Sequence, residues 1–298
     1  MSHAPSNAPG SASDRVPGSA PRRIRREGGI MVAIVKAAAA ITIVILVLVI
    51  GYILVRGVPV MTPAFLLGSP EKMGREGGIF PSIVGTVVLT ALSVVIAAPL
   101  GIGTAVFLTE YTREGTFSRI VRFGTESLAG IPSIIFGLFG FLFFVIQLGM
   151  GWSILSGSLT LAAMMLPTIV RTSEEALRAV PDPYREISFA LGGSRWQTVI
   201  SLILPSAMPG IVTGVILAIG RAIGETAAVI FTAGSSLGLP KSVFDPVRTL
   251  PVHFFLLARE GISMRNAYGT AATLLIAVLL VNFAAYYVMN RVSARRAR

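Results

Sequence analysis

The sequence predicts an all-α membrane protein with six transmembrane helices. Hydrophobic residues make up 53% of its 298 residues and charged residues only 13%, whereas a soluble domain carries about 25% charged residues. Long uncharged segments recur along the chain, and arginines collect at the ends of these segments rather than within them. That distribution is typical of membrane proteins, whose orientation follows their positive charges.

The net charge of +11 does not indicate nucleic-acid binding, because the basic residues follow the apolar segments. Four arginines lie within residues 22–26, before the first apolar segment, and four lie within residues 291–298, after the last. We therefore expect both termini in the cytoplasm. Residues 1–29 are rich in Ser, Ala, Pro, Gly and Arg, which predicts a disordered basic cytoplasmic tail. Residues 30–298 form the predicted transmembrane domain.

Metal and thiol chemistry have little support in the sequence. There is no cysteine, and the two histidines are His3, in the predicted tail, and His253, in a predicted loop. We expect no metal site, no disulfide framework and no catalytic residue.

The first four spans follow from the lengths of the uncharged segments, since a spanning helix needs about 20 apolar residues. Span one lies between Lys36 and Arg56, and span two starts near Pro81. Residues 127–170 contain no charge and would make a helix of about 66 Å, twice the thickness of a bilayer core. We divide them at a glycine-rich break into spans near 127–148 and 158–177.

Two further spans complete the count. Span five is predicted at about residues 209–233 and contains Arg221 and Glu225. Span six lies within residues 266–290. An even number of spans places both termini on one side, which agrees with the arginine-rich ends.

The loop before span five has the signals of an ordered helix. Asp182 is a suitable N-cap, and Pro183 follows it at the first helical position. The helix should run to about Leu191 and end at Gly192, because glycine is common just after a helix.

A second short helix should follow directly. Ser194 and Gln197 have the spacing of a capping box, and Pro205 comes before the next span. Either this loop is a surface helix without a partner, or it presents a short helix to a soluble protein.

The same loop resembles the EAA loop of ABC importer permeases, which runs E-A-A, three residues, G, nine residues and I-x-L-P. Glu186 begins the match, Gly192 provides the glycine, and residues 202–205 read LILP over the same spacing, from about 181 to 205. The resemblance implies a type I ABC importer permease fold, also called MetI-like. It also implies that Glu186, Ala190 and Gly192 belong to a coupling surface that docks on an ATPase subunit.

No ATP-binding loop is encoded in the chain. None of the three lysines, Lys36, Lys72 and Lys241, follows a glycine, so the phosphate-binding G-x-x-x-x-G-K-[ST] motif is missing. We therefore expect no cofactor in this chain and no catalysis by it, with ATP and Mg bound by a partner ATPase.

Four further segments resemble the A-type permease of Pst-type phosphate importers. They are EGGIFPSIVGT (76–86), LAGIPSIIFGLFG (128–140), RTSEEALRAVP (171–181) and GRAIGETA (220–227). The resemblance implies a heterodimer with a C-type permease, two copies of an ATPase subunit, and a periplasmic or surface phosphate-binding protein. It implies a multi-pass protein of the bacterial plasma (inner) membrane that transports inorganic phosphate.

Charged residues within a span are expensive, and Arg221 and Glu225 are four residues apart, so they would share one face of a helix. Arg221 could contact an anion in the translocation pathway. Alternatively, the two charges simply neutralise each other inside the bundle. Ser133, beside Pro132, could line the pathway with its hydroxyl, although such serines commonly bond to the preceding turn.

Three other functions remain open at this stage. A permease for sulfate, molybdate or phosphonate would share the docking loop. A secondary transporter needs no docking loop and often has inverted repeats, which the sequence does not display. A membrane-embedded enzyme would need an acid–base or nucleophile cluster, and the spans contain one acid–base pair, Arg221 and Glu225.

Overall fold

The computed structural model describes residues 22–113 and 115–296, and the side chains of 31–113 and 115–287. Twelve α-helices and one short hairpin occur within these ranges. The helices are α1 (Arg22–Gly57), α2 (Pro63–Leu67), α3 (Phe80–Val106), α4 (Thr116–Ala129), α5 (Ser133–Gly140), α6 (Ile154–Arg178), α7 (Pro183–Ala190), α8 (Arg195–Thr198), α9 (Leu204–Ile223), α10 (Ala227–Thr232), α11 (Leu250–Arg259) and α12 (Met264–Arg296). The antiparallel strands are β1 (Pro70–Glu71) and β2 (Glu76–Gly77).

Short non-α turns extend several of these helices. Turns of π-helix follow α3 (Phe107–Tyr111) and α5 (Phe141–Gln147) and precede α9 (Val199–Ile203). Single 3₁₀ turns occur at Val58–Val60 and Lys72–Gly74.

The chain divides into two compact units after Tyr52. The first unit consists, where it is described, of most of α1, and its apolar side chains from residue 31 to 49 are exposed. Helix α1 begins at Arg22, so residues 22–29 of the predicted tail are helical. Residues 1–21 of that tail lie outside the described residues.

The number of spans agrees with the predicted six if one bent helix pair counts as a single span. Among the described residues, five helical segments are long and apolar enough to cross a membrane: Met31–Val60, Phe80–Tyr111, Ile154–Arg178, Arg195–Ile223 and Met264–Tyr287. The all-α membrane class is confirmed.

Predicted span three is not one straight helix. Helix α4 ends at Ala129, α5 begins at Ser133, and the two axes differ by 102°. Pro132 causes the bend, because it has no N–H and disfavours a helical conformation at the residue before it. The apolar segment after the bend, Ser133–Gln147, is therefore shorter than the predicted 127–148.

Predicted span five is also broken, so the expectation that Arg221 and Glu225 share a helical face is wrong. Helix α9 ends at Ile223, and α10 begins at Ala227. The Glu225 carboxylate accepts hydrogen bonds from the backbone N–H groups of Thr226 (3.2 Å) and Ala228 (3.3 Å). These bonds satisfy groups at the start of α10 and stabilise the break.

Helix α6 is the central span of the second unit. In the most apolar part of α6, 67% of the residues are buried. The corresponding share is 33% in the span that contains α3 and 28% in the spans that contain α9 and α12. Helix α6 is also the least hydropathic of the five, and its buried Ser158 donates a hydrogen bond to the Leu89 carbonyl of α3 at 3.2 Å. A span enclosed by protein tolerates polar groups that a lipid-facing span would not.

Glycines allow α3 and α9 to approach α6 closely. A Cβ atom on Gly101 of α3 would lie 2.7 Å from Ile169, and one on Gly210 of α9 would lie 2.6 Å from Ala176. A Cβ on Gly214 would overlap the side chain of Thr172. Small residues at such contacts are the usual basis of tight helix packing in membranes.

Helix α2 packs against α3, and α11 packs against α12 and α3. His253 lies within α11, not in the predicted loop, and is 1% exposed. Burial, with a smaller effect from the charge of Arg248, lowers the pKa of His253 to about 4. The imidazole is therefore neutral near pH 7.

Replacing Gly214 by alanine should destabilise the bundle, because the added methyl group overlaps Thr172. Such overpacking costs about 1–3 kcal/mol, measurable as a lower melting temperature in detergent. Gly103→Ala is the matched control, since nothing lies within 4 Å of a Cβ at that position. Equal melting temperatures for the two variants would contradict the close α6–α9 contact.

Candidate functional site

The loop after α6 folds largely as its sequence predicts. Helix α7 starts at Pro183, and Gly192 follows it with φ +82°, a left-handed conformation that favours glycine. The capping box is confirmed: Gln197 N–H donates to the Ser194 hydroxyl (3.3 Å), and Ser194 N–H donates to the Gln197 side chain (2.9 Å). Asp182 precedes the helix but makes no side-chain cap hydrogen bond.

One side of this loop is turned outward. Glu186, Ala190 and Gly192, the predicted coupling residues, are all exposed. The apolar side chains between and beside them are exposed too, with Ile187 at 61% and Leu191 at 84%. Exposed large apolar residues on an ordered helix are typical of a protein-binding surface.

Arg185 attaches the opposite side of α7 to the end of the second span. Its Nη2 donates to Glu110 Oε1 at 2.7 Å and its Nε donates to Glu110 Oε2 at 3.3 Å. Both side chains are largely buried, with 17% and 10% exposed. A two-point contact of this kind fixes orientation as well as distance.

The same guanidinium also binds the end of α6. Its Nη2 donates to the Leu177 carbonyl (3.1 Å), and its Nη1 donates to the Val180 carbonyl (2.8 Å) and to the Asp182 carboxylate (3.2 Å). All five N–H donors therefore have acceptors. The hydrogen bonds to Glu110 outweigh the effect of burial and raise the pKa of Arg185.

A second ionic cluster joins α4 to α6. Glu174 pairs with Arg122 of α4 at 2.7 Å and with Arg178, one turn later in α6, at 3.0 Å. The Glu174 side chain is 11% exposed. The end of α6 nearest α7 is thus held on two sides, by α4 and by the Arg185 contacts.

The predicted pathway residues lie at the two helix breaks. Arg221 is exposed in the last turn of α9, and no ion pair involving it occurs among the described residues. Glu225 caps α10, and Ser133 is the first residue of α5. A Cβ on Gly137, one turn after Ser133, would lie 2.9 Å from Ala228, so α5 packs directly against the start of α10.

A cleft of about 960 Å³ is lined by residues of α5, α10 and α11, and Arg221, Glu225 and Ser133 are not among them. Arg259 of α11 is part of the lining, and its guanidinium lies 5.4 Å from the centre of the Phe255 ring. Most of the wall is apolar, with Thr226, Ser235, Ser236 and Arg259 as its hydroxyl and charged side chains.

Sequence reasoning missed the Arg185–Glu110 and Arg122–Glu174 contacts. The partners are 75 and 52 residues apart, so no local spacing connects them. A weaker indication was available in the sequence, because Glu110 directly follows a long uncharged segment. A charged group needs a partner when it is buried.

Comparison with known proteins identifies the family. Residues 97–298 match the model described as "Binding-protein-dependent transport system inner membrane component". The chain belongs to this family. Its members include the ABC importer permeases that the loop resembles, and the predicted membership is confirmed.

Individual relatives agree with this assignment. The permease is 38% identical over 263 residues to the probable ABC transporter permease protein YqgI of Bacillus subtilis, covering 83% of this chain and 90% of that protein. It is 40% identical over 230 residues to the phosphate transport system permease protein PstA 1 of Mycobacterium tuberculosis, covering 76% and 75%.

Solved structures share the fold. The MetNI methionine ABC transporter matches with a TM-score of 0.59 at 23% identity, over 70% of this chain and 93% of that chain. The bacterial alginate ABC transporter matches with a TM-score of 0.65 at 16% identity, over 91% and 97%. The predicted MetI-like permease fold is confirmed.

Removing either partner of the Arg185–Glu110 pair should destabilise the permease. Arg185→Gln leaves the buried Glu110 carboxylate without its cation, and Glu110→Gln removes the charged acceptor of two of the Arg185 N–H donors. We expect Arg185→Gln and Glu110→Gln each to cost about 3 kcal/mol or more, seen as a lower melting temperature in detergent. The double variant should lose less stability than the sum of the losses in the two single variants.

Arg171→Gln is the control, since the Arg171–Glu175 pair is exposed at 68% and 65% and such pairs contribute about 1 kcal/mol or less. Strictly additive losses at Arg185 and Glu110 would contradict the coupling that the geometry indicates.

Proposed function

We propose that this permease forms part of the translocation pathway for inorganic phosphate in an ATP-driven importer. The observation that carries the proposal is the position of Arg221, an exposed guanidinium at a break between two helices of a membrane-spanning unit. An exposed charged side chain within a membrane-spanning unit is costly unless it faces water, a pathway or a partner. Relatives named as phosphate transport permeases support phosphate as the anion.

The helix breaks give the pathway its polar groups. Glu225 accepts hydrogen bonds from the backbone N–H groups of Thr226 and Ala228, and no ion pair joins it to Arg221 among the described residues. Ser133 is the first residue of α5, directly before Ile134 of the cleft lining. Backbone irregularity within a membrane is tolerated where it lines a cavity, and guanidinium binds phosphate in two-point fashion.

The partner ATPase would act on the permease through α7. We assign Glu186, Ala190 and Gly192, with the neighbouring Ile187 and Leu191, to the surface that docks on a partner ATPase, which binds ATP and Mg. Two copies of that ATPase, a second C-type permease and a periplasmic or surface phosphate-binding protein would complete the transporter. In this arrangement α7 and both termini face the cytoplasm, and the cleft opens toward the binding protein.

Arg221→Gln should abolish phosphate uptake and leave the assembled complex intact, because no ion pair of Arg221 is broken. Arg221→Lys should restore uptake only in part, since an ammonium lacks the planar fork of guanidinium. Uptake of labelled phosphate by proteoliposomes, with sulfate and molybdate as competitors, measures both activity and cargo. Arg265→Gln, an exposed arginine at the start of α12, is the control.

The double variant Arg221→Gln with Glu225→Gln separates the two roles. It should assemble and remain inactive, because removing Glu225 does not replace the lost cation. Near-normal uptake by the double variant would show that the two charges only balance each other, and the pathway proposal would fall.

Leu191→Ser should weaken binding of the ATPase subunit at least tenfold and leave the melting temperature of the isolated permease unchanged. Leu191 is 84% exposed, so its loss removes contact area only where a partner covers it. Leu239→Ser, at a 50% exposed leucine in the loop between α10 and α11, is the matched control. Unchanged affinity for Leu191→Ser, measured by titration of the ATPase, would argue against docking at α7.

A further inference from the structure

Helix α4 is placed to lie in the plane of the membrane. It meets the apolar Ser133–Gln147 segment at 102°, so if that segment runs across the bilayer, α4 runs along its surface. Arg122 of α4 pairs with Glu174, four residues from the end of α6. Both observations put α4 at the membrane surface where the α7 loop emerges.

The faces of α4 differ sharply in polarity. Phe117, Ile120 and Phe123 are exposed at 59%, 62% and 71%, and their spacing of three places them on one side of a helix. Arg119 and Glu126 project from the other side. A helix with one apolar and one charged face that lies along a surface is the usual form of an interfacial membrane helix.

The apolar face of α4 continues the surface of a span. The Phe117 ring meets the Phe107 ring edge-on, with centroids 6.4 Å apart. Phe107 belongs to the last turns of the candidate span Phe80–Tyr111 and is 51% exposed. Phe117 therefore contacts the exposed surface of that span near its end.

We propose that α4 is an interfacial helix that inserts Phe117, Ile120 and Phe123 among the acyl chains of the leaflet on the α7 side. Its occupant is phospholipid rather than a protein partner, because the apolar face is continuous with the span surface at Phe107. Arg113, which precedes α4, and Arg119, on its charged face, are both exposed, and basic residues near a membrane surface favour anionic headgroups.

This anchoring would set the height of the loop that docks the ATPase. Helix α4 is bound to the last turns of α6 through Glu174, and α7 follows α6 after a short connection. The inference rests on the membrane assignment of the chain and not on the identity of the cargo.

The test uses spin labels attached to introduced cysteines. Each label reports one position, because the chain has no cysteine of its own. Single cysteines at Ile120 and Phe123 report the apolar face, and single cysteines at Arg119 and Glu126 are the matched controls on the charged face. The labelled permease is assembled with cysteine-free partner chains in vesicles of phosphatidylethanolamine and phosphatidylglycerol. Collision with oxygen, which concentrates in lipid, is compared with collision with a water-soluble nickel complex.

We expect labels at Ile120 and Phe123 to collide at least several-fold more often with oxygen than with nickel, and labels at Arg119 and Glu126 to do the reverse. Low accessibility to both reagents at Ile120 and Phe123 would mean that a protein covers this face, and would overturn the proposal. High nickel accessibility there would mean that the face is in water, with the same consequence.

A second measurement tests the headgroup contact. In the same vesicles, Arg113→Gln with Arg119→Gln should bring the Phe123 label nearer the aqueous phase, seen as a rise in nickel collisions. Replacing phosphatidylglycerol by phosphatidylcholine should have a similar effect on the chain without these substitutions. These readouts need no transport, so failure of the phosphate assignment would leave them unchanged. If the rate of nickel collisions at the Phe123 label changed in neither experiment, a role for anionic lipid would be excluded.

Discussion

The contact between Arg185 and Glu110 is the constraint on which the docking side of the permease depends. One guanidinium binds the end of the second span, the last carbonyl groups of α6 and the start of α7. Without it, the links of α7 to the rest of the fold would be reduced to its contacts with α8 and the turn before α9, such as the hydrogen bond of 2.7 Å between the Ser188 and Thr198 hydroxyl groups. With all five donors engaged, a displacement of α7 is passed to two spans at once, because strong charge-assisted bonds resist bending.

In the proposed docking of α7 on an ATPase, α6 would receive that displacement, and its packing suits this role. It is the most enclosed span, glycines of α3 and α9 pack against it at van der Waals distance, and its end is tied to α4 through Glu174. Densely packed helices move as bodies rather than deforming locally. The helix breaks at Pro132 and Gly224 lie in the elements packed beside α6, so motion of α6 reaches the residues proposed to line the pathway.

A structural feature could be predicted from the sequence when the residues that form it lie close together along the chain. The capping box of Ser194 and Gln197 and the left-handed Gly192 are local, and both were predicted correctly. The break after Ile223 was missed because the segment is apolar on average, and hydropathy measures burial in lipid rather than helix continuity. The bond between Arg185 and Glu110 joins residues far apart in sequence, which only the packing of two spans brings together.

The separation of Arg221 from Glu225 changes what each charge can do. An ion pair on one helical face would have held the arginine in place and removed its attraction for an anion. Because α9 ends at Ile223, the carboxylate instead satisfies N–H groups at the start of α10, where negative charge is favoured by the helix dipole. The acidic residue therefore stabilises the break itself, and the break leaves the basic residue exposed with its full charge available to a substrate.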